Sequence, residues 1–260
     1  MAIDLFKIGP ITLHGYGLMI GIGLIMALIV GEKWFVKKGL KPEAVLDIVL
    51  ICGIFGFAGG KLLFIITEWK QFLAAPLSVL GSSGFVVYGG IFVSVLCIML
   101  YCRIKKYYFM DYFDALVPEV ALAQGFGRIG CFLAGCCYGH ETHAWYGVVF
   151  PENSLAVPGV KLIPTQLISS VGDFAIFGIL MLIDIKTKNH PKRLAGDVGF
   201  CYMILYGIGR FLVEILRNDP RGAVGALSTS QFISIFMFGL GVILMIAQRF
   251  RKETKKPEEV

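Results

Sequence analysis

The sequence predicts an all-α integral membrane protein with seven transmembrane helices and a small extracytoplasmic head. Of its 260 residues, 57% are hydrophobic and only 16% are charged, and the mean hydropathy is +0.76. Soluble domains carry about 25% charged residues. A bilayer core of about 30 Å needs about 20 apolar residues per helix, and the chain has several uninterrupted runs of that length. Helices are favoured over a barrel, whose strands alternate apolar and polar residues.

Seven apolar segments account for the predicted helices. Their bounds are 14–36, 43–67, 84–102, 111–137, 165–185, 198–217 and 229–249. The first is expected to stay in the mature protein, because the residues before it lack the basic start and the cleavage site of a signal peptide.

The fourth segment is the least typical of a membrane helix. It carries Asp111, Asp114, Glu119 and Arg128, and it is rich in glycine toward its end. We therefore expect it to break into a helix and an irregular stretch that other helices shield from lipid.

The domain organisation follows from these segments. One transmembrane domain is predicted over residues 1–250, and a head is inserted at 138–164, where the loop is long and mixed in composition. Residues 251–260 are predicted to be a solvated cytoplasmic tail.

The basic residues predict the orientation of the chain. The formal net charge is +6, but the positive residues lie in short clusters between the apolar segments, which indicates topology signals and a lipid bilayer as partner, not nucleic acid. Sixteen of the 24 basic residues fall in the connections after the first, third and fifth segments and in the tail. They are Lys33, Lys37, Lys38, Lys41, Arg103, Lys105, Lys106, Lys186, Lys188, Lys192, Arg193, Arg249, Arg251, Lys252, Lys255 and Lys256. By the positive-inside rule the N-terminus is outside and the C-terminus is cytoplasmic.

Three basic residues lie within or at the rim of apolar segments: Lys61, Arg128 and Arg210. A charge at the centre of a bilayer costs about 2.5 to 3.5 kcal/mol on insertion scales. Each of the three is therefore expected to have a partner or a functional role, in the outward half of the membrane.

The strongest local signal is the stretch GRIGCFLAGCCYG, which begins at Gly127. Glycines around Arg128 let a ligand approach the backbone, and a guanidinium can bind a phosphate through two parallel hydrogen bonds. A phospholipid headgroup suits this pattern. The alternative is that the glycines only allow tight helix packing while Arg128 extends toward the interface.

A second polar pattern lies in YGIGRFLVEILR. Tyr206, Arg210, Glu214 and Arg217 are spaced by four, four and three residues, so they share one helical face. Glu214 is expected to pair with Arg210 or Arg217. A structural ion pair would explain Glu214 alone, whereas two arginines at one end of the helix favour a phosphate site.

Together these stretches resemble the prolipoprotein diacylglyceryl transferase family. The resemblance covers nearly the whole chain through colinear motifs: IGPITLHGYGLM, GGKLLFIITE, VVYGGI, GRIGCFLAGCCYG, PTQL, YGIGRFLVEILR and LSTSQFISI. It implies a seven-helix inner-membrane enzyme with its N-terminus outside, in agreement with the topology predicted from charge.

The resemblance also implies a reaction and its substrates. The thiol of a lipobox cysteine in a prolipoprotein signal peptide attacks the glyceryl carbon of phosphatidylglycerol, forms a thioether and expels glycerol phosphate. No soluble cofactor is implied. Cations that stabilise the leaving phosphate, a group that takes the thiol proton and exclusion of water are the physical requirements.

Matching positions imply the site residues. Arg128 and Arg210 are similar to the family's phosphate-binding arginines, and Glu214 is similar to the acid of its last motif. Tyr88 occupies the position of the histidine that is the family's proposed base. These four residues form the predicted catalytic set. The predicted substrate-binding set is Tyr16, Lys61, Gly89, Gly90, Cys131, Gly139, Tyr206 and Arg217. Lys61 stands where many members have arginine, which keeps the charge but not bidentate binding.

The chain departs from the family pattern at three positions. Tyr88 replaces the histidine of a His-Gly-Gly motif, and Cys131 and Cys136 replace an asparagine and a glutamate. A phenol titrates too high to be an easy base at neutral pH. Glu214, His140 or a phosphate oxygen of the substrate would then take the proton, or Tyr88 only donates a hydrogen bond, or the acceptor differs.

Three interpretations of the cysteines stay open. Cys131, Cys136 and Cys137, with His140 and His143, offer five metal-binding side chains within thirteen residues. Their spacing matches no common zinc motif, so we assign no metal, and a redox-active pair or simple packing are the alternatives.

Two other functions of the whole protein are alternatives to the transferase. One is a paralogue of the same fold that uses a different acceptor. The other is a transporter that recognises an anion without chemistry, although no inverted repeat is evident.

Overall fold

The computed structural model describes residues 4–8, 11–82, 84–188, 190, 193–219 and 222–253. Within these residues, helices dominate and the strands form short antiparallel hairpins. The helices are α1 (Gly15–Lys38), α2 (Glu43–Thr67), α3 (Trp69–Ala74), α4 (Pro76–Gly81), α5 (Val87–Ile104), α6 (Phe109–Ala134), α7 (Thr165–Thr187), α8 (Asp197–Leu216) and α9 (Thr229–Glu253). The hairpins pair β1 (Asp4–Ile8) with β2 (Ile11–His14), β3 (Val148–Val149) with β4 (Lys161–Leu162), and β5 (Ala223–Val224) with β6 (Leu227–Ser228).

Seven of the described helices are long and apolar enough to span a membrane: α1, α2, α5, α6, α7, α8 and α9. This confirms the predicted number and class of elements, and most bounds agree within a few residues. Most of the predicted tail lies outside the described residues, as do Lys192, Arg221, Lys255 and Lys256.

Three of these helices are followed by the same kind of turn. After α1, α5 and α6 the chain turns at a residue with positive φ, namely Gly39 (75°), Lys106 (59°) and Gly135 (73°). At α6, the amide of Gly135 donates to the Phe132 carbonyl and the amide of Cys136 donates to the Cys131 carbonyl. This is the Schellman pattern, which satisfies the last carbonyls of a helix. The glycine-rich end of the fourth segment is therefore helical as far as Ala134, and the expected irregular stretch begins only at Gly135.

The chain divides into two compact units. The first comprises residues 1–30 and 113–260, and the second comprises residues 31–112. In the first unit, α6, α7 and α8 meet in an apolar core of Val117, Ala121, Ile176, Leu180 and Val198. Helix α9 packs along α8.

Two buried acids fix the ends of helices in the first unit. Asp114 of α6 accepts hydrogen bonds from the backbone amides of Gly196 (2.9 Å) and Gly199 (2.8 Å) at the start of α8. Arg193, just before α8, forms an ion pair with Asp184 near the end of α7. Of the acids in the fourth segment, Asp114 thus caps the start of α8, where the first backbone amides lack partners within the helix.

The second unit is built on the contact between α2 and α5, where glycines face each other. A Cβ added to Gly89 would lie 2.5 Å from the Gly59 carbonyl oxygen, and one added to Gly90 would lie 2.5 Å from that of Gly56. Only glycine permits backbones to approach this closely.

Residues 138–164 form a small packed segment of their own. It contains the β3–β4 hairpin and a cluster of four buried side chains, Tyr138, Phe150, Ala156 and Leu162. The assignment of this segment as a head inserted on the outer side of the membrane stays a prediction.

Candidate functional site

Arg128 lies on α6, six residues before the helix ends, and faces an acid of α7. Its Nε lies 4.0 Å from Oδ2 of Asp173, and the two side chains are 21% and 8% exposed. The charges of both Arg128 and Arg210 act on the Asp173 carboxylate. The negative charge of Asp173 therefore attracts both of the predicted phosphate-binding arginines.

Glu214 forms ion pairs with both Arg210 and Arg217. Oε2 of Glu214 lies 2.9 Å from Nη2 of Arg210 and 3.9 Å from Nη1 of Arg217. Glu214 is buried, and it is shared between both arginines. Helix α8 ends at Leu216, so Arg217 is the extended residue just after it and does not share the helical face that the spacing predicted. One carboxylate thus fixes two guanidinium groups, one on α8 and one just beyond its end.

Residues outside α8 complete this network. Ser230, in the first turn of α9, accepts a hydrogen bond from Nη2 of Arg210 (2.9 Å), and the Ser228 hydroxyl donates to Oε1 of Glu214 (2.8 Å). Arg217 donates from Nε and Nη2 to the two carboxylate oxygens of Asp219, at 3.0 and 2.8 Å. The arginines are therefore oriented before any ligand binds.

A cavity of about 50 Å³ separates these helices. Polar groups on its wall come from α6, α7 and α8: Arg128, Ser169, Asp173, Tyr206 and Arg210. Ile168, Ile176 and Val213 complete an apolar side. The cavity has room for a small charged group, and both cationic and apolar side chains line it.

The two predicted tyrosines of the first unit lie near Arg128. Tyr206 lines the cavity and stacks on Tyr202, with ring centroids 5.6 Å apart. Tyr16, at the start of α1, is 44% exposed, and Cβ of a residue at Gly130 would lie 3.1 Å from its ring. Tyr16 and Arg128 also interact electrostatically.

The glycines of the signature have distinct local roles. Gly130 lets α6 approach α1, Gly135 makes the turn, and Gly139 leaves no room for a side chain, because an added Cβ would lie 2.6 Å from the Leu216 carbonyl oxygen. Gly127 faces open space. Packing thus accounts for most of this pattern, while Arg128 itself does not simply extend into solvent.

Lys61, Tyr88, Gly89 and Gly90 belong to the second unit. Nζ of Lys61 donates to the Ser82 carbonyl (2.7 Å) and the Gly84 carbonyl (3.3 Å), which ties α2 to the loop before α5. Tyr88, in the first turn of α5, is 39% exposed. Gly89 and Gly90 pack against α2, and the substrate-binding role predicted for this group stays a prediction.

Cys131 lies beside the two other cysteines of the signature. The sulfur atoms of Cys131, Cys136 and Cys137 all lie within 4.8 Å of one another. His140 and His143 are not part of this group within the described residues. Of the five metal-binding side chains in this stretch of sequence, the structure thus brings three together.

The sequence reasoning did not single out Asp173, Ser228 or Ser230. Asp173 had a usable signal, since an acidic residue inside an apolar segment calls for a partner just as a basic one does. The serines had none in their type or spacing, because they reach the network from a different segment of the chain.

Comparison with known proteins identifies the family. The family model of prolipoprotein diacylglyceryl transferases matches residues 4–247. The phosphatidylglycerol–prolipoprotein diacylglyceryl transferase 2 of Clostridium perfringens is 46% identical over 259 residues, covering 98% of this chain and 99% of the relative. Transferases of Clostridium tetani (42% over 251 residues, 96% and 98%) and Finegoldia magna (34% over 257 residues, 98% and 98%) are also similar. The chain therefore belongs to the prolipoprotein diacylglyceryl transferase family.

Proposed function

We propose that the protein transfers the diacylglyceryl group of phosphatidylglycerol to the thiol of a lipobox cysteine in prolipoproteins. The names of its full-length relatives give the reaction class and both substrates. The observation that carries the proposal to this chain is the pair Arg128 and Arg210, which line one small cavity between membrane-spanning helices. Buried cations in such helices are costly and call for a function.

The reaction forms one bond and breaks one. The sulfur of the lipobox cysteine attacks the glyceryl carbon that carries the phosphate ester, and a C–S thioether bond forms. The C–O bond to the phosphate breaks, and glycerol phosphate leaves with the electron pair. The thiol proton passes to a base or to the leaving phosphate.

In this proposal Arg128 and Arg210 hold the phosphate and stabilise the negative charge that grows on it. Fixed cations in a site that excludes water are effective because they need no reorganisation during the reaction. Glu214, Ser230 and Asp173 orient the two guanidinium groups, as their contacts of 2.9, 2.9 and 4.0 Å support. Glu214 is thus assigned to positioning and not to proton transfer, since its carboxylate is already shared by two arginines.

Tyr16, Tyr206, Gly139 and Arg217 are proposed to contact or shape the substrate site from the first unit. A substrate role for Tyr88, Lys61, Gly89 and Gly90, which the family resemblance implies, is part of the same proposal. The cavity is proposed to open toward the outer leaflet of the bacterial inner membrane, where prolipoproteins arrive after translocation.

The test is release of glycerol phosphate by the purified protein from phosphatidylglycerol and a synthetic lipobox peptide. Arg128→Ala and Arg210→Ala are each expected to lower kcat by about 100-fold or more, the usual effect of losing one group that stabilises a developing anion. Arg103→Ala is the matched control, because Arg103 is exposed at the end of α5. Activity of the two site variants equal to that of the control would remove both arginines from the site.

A further inference from the structure

Three cysteines, one in the last turn of α6 and two in the loop after it, form a cluster that the proposed reaction does not use. Cys131 is in the last turn of the helix, and Cys136 and Cys137 follow the turn at Gly135. Their sulfur atoms lie within 4.8 Å of one another and all three residues are partly buried. All three are free thiols.

The backbone holds these thiols in place. The Schellman hydrogen bond from the Cys136 amide to the Cys131 carbonyl, 3.2 Å long, folds the chain back over the helix end. Nε2 of Gln166 donates to the Cys136 carbonyl (2.7 Å), and the Thr165 hydroxyl donates to the Cys137 carbonyl (2.6 Å). The start of α7 thereby anchors both loop cysteines. Much of the entropy cost of assembling three ligands is already met by the fold.

Cys137 adopts a backbone conformation that only a constrained position tolerates. Its φ is +63°, in the left-handed region that a residue with a side chain rarely occupies. A conformation of this kind persists where the surrounding structure imposes it, often at functional sites. Here it occurs at a residue whose sulfur lies within 4.8 Å of the other two.

Three sulfur ligands define the kind of ion. Thiolates are the form of cysteine that binds metal ions. Soft thiolates select zinc or copper(I) and disfavour magnesium and calcium, which prefer oxygen ligands. Zinc is bound by four ligands in structural sites and often by three protein ligands plus one exchangeable ligand elsewhere. We propose that Cys131, Cys136 and Cys137 together bind one zinc ion, whose fourth position is left to water or to an incoming thiol. The ion would join the end of α6 to the loop that α7 anchors.

The first test is metal analysis of the full-length protein, purified in detergent through a tag that binds no metal. We expect about one zinc per chain. Cys131→Ser, Cys136→Ser and Cys137→Ser are each expected to weaken zinc binding by at least about tenfold, because even outer-shell changes cost 10- to 100-fold. Cys201→Ser is the matched control and is expected to keep the zinc, since Cys201 lies elsewhere, on α8.

A second measurement keeps the proposal falsifiable if the serine variants fold poorly. Cobalt added to the metal-free wild-type protein is expected to give sulfur-to-cobalt charge-transfer absorption whose intensity corresponds to three thiolates. Absence of both zinc and this absorption overturns the proposal, as does zinc that survives all three substitutions. A thiol count two short of the seven cysteines overturns it too, because it would show a disulfide. Neither measurement requires turnover, so the zinc proposal can fail independently of the proposed function.

Discussion

The buried charges of the first unit differ in how well they are paired, and this difference has consequences for stability. Glu214 accepts from Ser228 at 2.8 Å and pairs with Arg210 at 2.9 Å. Asp114 accepts two backbone amides. Neither oxygen of the buried Glu119 carboxyl has a hydrogen-bond partner within the described residues. The cost of removing each side chain should follow from these contacts.

Glu214→Gln removes the buried charge that Arg210 and Arg217 share while keeping the shape of the side chain. We expect a loss of about 3 kcal/mol in the free energy of unfolding, because removing one partner of a buried ion pair leaves the other uncompensated. Thermal unfolding in detergent measures this. Glu43→Gln, at an exposed position in the first turn of α2, is expected to change stability by no more than about 0.5 kcal/mol. Equal midpoints for the two variants would contradict the role given to Glu214.

Asp114→Ala and Glu119→Met should change stability in opposite directions. The first leaves the amides of Gly196 and Gly199 without their acceptor and is expected to cost about 1 to 3 kcal/mol. The second replaces a buried carboxyl that makes no hydrogen bond by an apolar side chain of similar length, so the melting temperature is expected to rise. A Glu119→Met variant that melts below the wild type would show that this carboxyl has a stabilising role.

At the scale of elements, glycine decides how closely helices pack. Between α2 and α5, a Cβ added to Gly59, Gly89 or Gly90 would lie within 2.7 Å of a backbone carbonyl oxygen of the other helix. In the first unit, Gly199 of α8 is equally confined, since an added Cβ would lie 2.0 Å from the Phe113 ring. These positions are packing sites whatever else they do.

Gly89→Ala and Gly90→Ala are therefore expected to destabilise the protein by about 1 to 3 kcal/mol, the usual cost of overpacking. The added methyl groups would meet backbone carbonyl oxygens at 2.5 Å, and backbone cannot rotate away as a side chain can. Gly53→Ala is the matched control on α2, because nothing lies within 4 Å of its added Cβ. Thermal stability and yield of folded protein in detergent separate the two outcomes, and tolerance of alanine at both positions would contradict the close contact.

At the scale of the whole molecule, the distribution of lysine and arginine predicts which side of the membrane each connection faces. The alternation holds along the chain: basic residues cluster in every second connection. An odd number of spans places the two termini on opposite sides, and the positive-inside rule predicts that the tail is in the cytoplasm.

Reporter fusions test this orientation. Alkaline phosphatase, which is active only outside the cytoplasm, is expected to be active when fused after Lys70 and inactive when fused after Lys41 or Glu253. A fluorescent protein that folds only in the cytoplasm should give the reverse pattern. Phosphatase activity at Glu253 would invert the topology and place the cavity of Arg128 and Arg210 on the wrong side for prolipoproteins.

The sequence by itself determined the seven spans, the ion pair between Arg210 and Glu214 on α8, and the family. Hydropathy is a property of contiguous residues, and the spacing of Arg210 and Glu214 fixes their common face within one helix. The family followed from colinear motifs, which need no coordinates.

Only the tertiary structure decided which groups from different segments meet. Asp173 faces Arg128, Ser230 reaches Arg210, and three cysteines gather while His140 and His143 do not. The physical reason is that ion pairs, hydrogen bonds and metal ligation depend on distances of a few ångströms between residues far apart in the chain. Those distances are set by how helices pack, and the composition of each helix does not contain them.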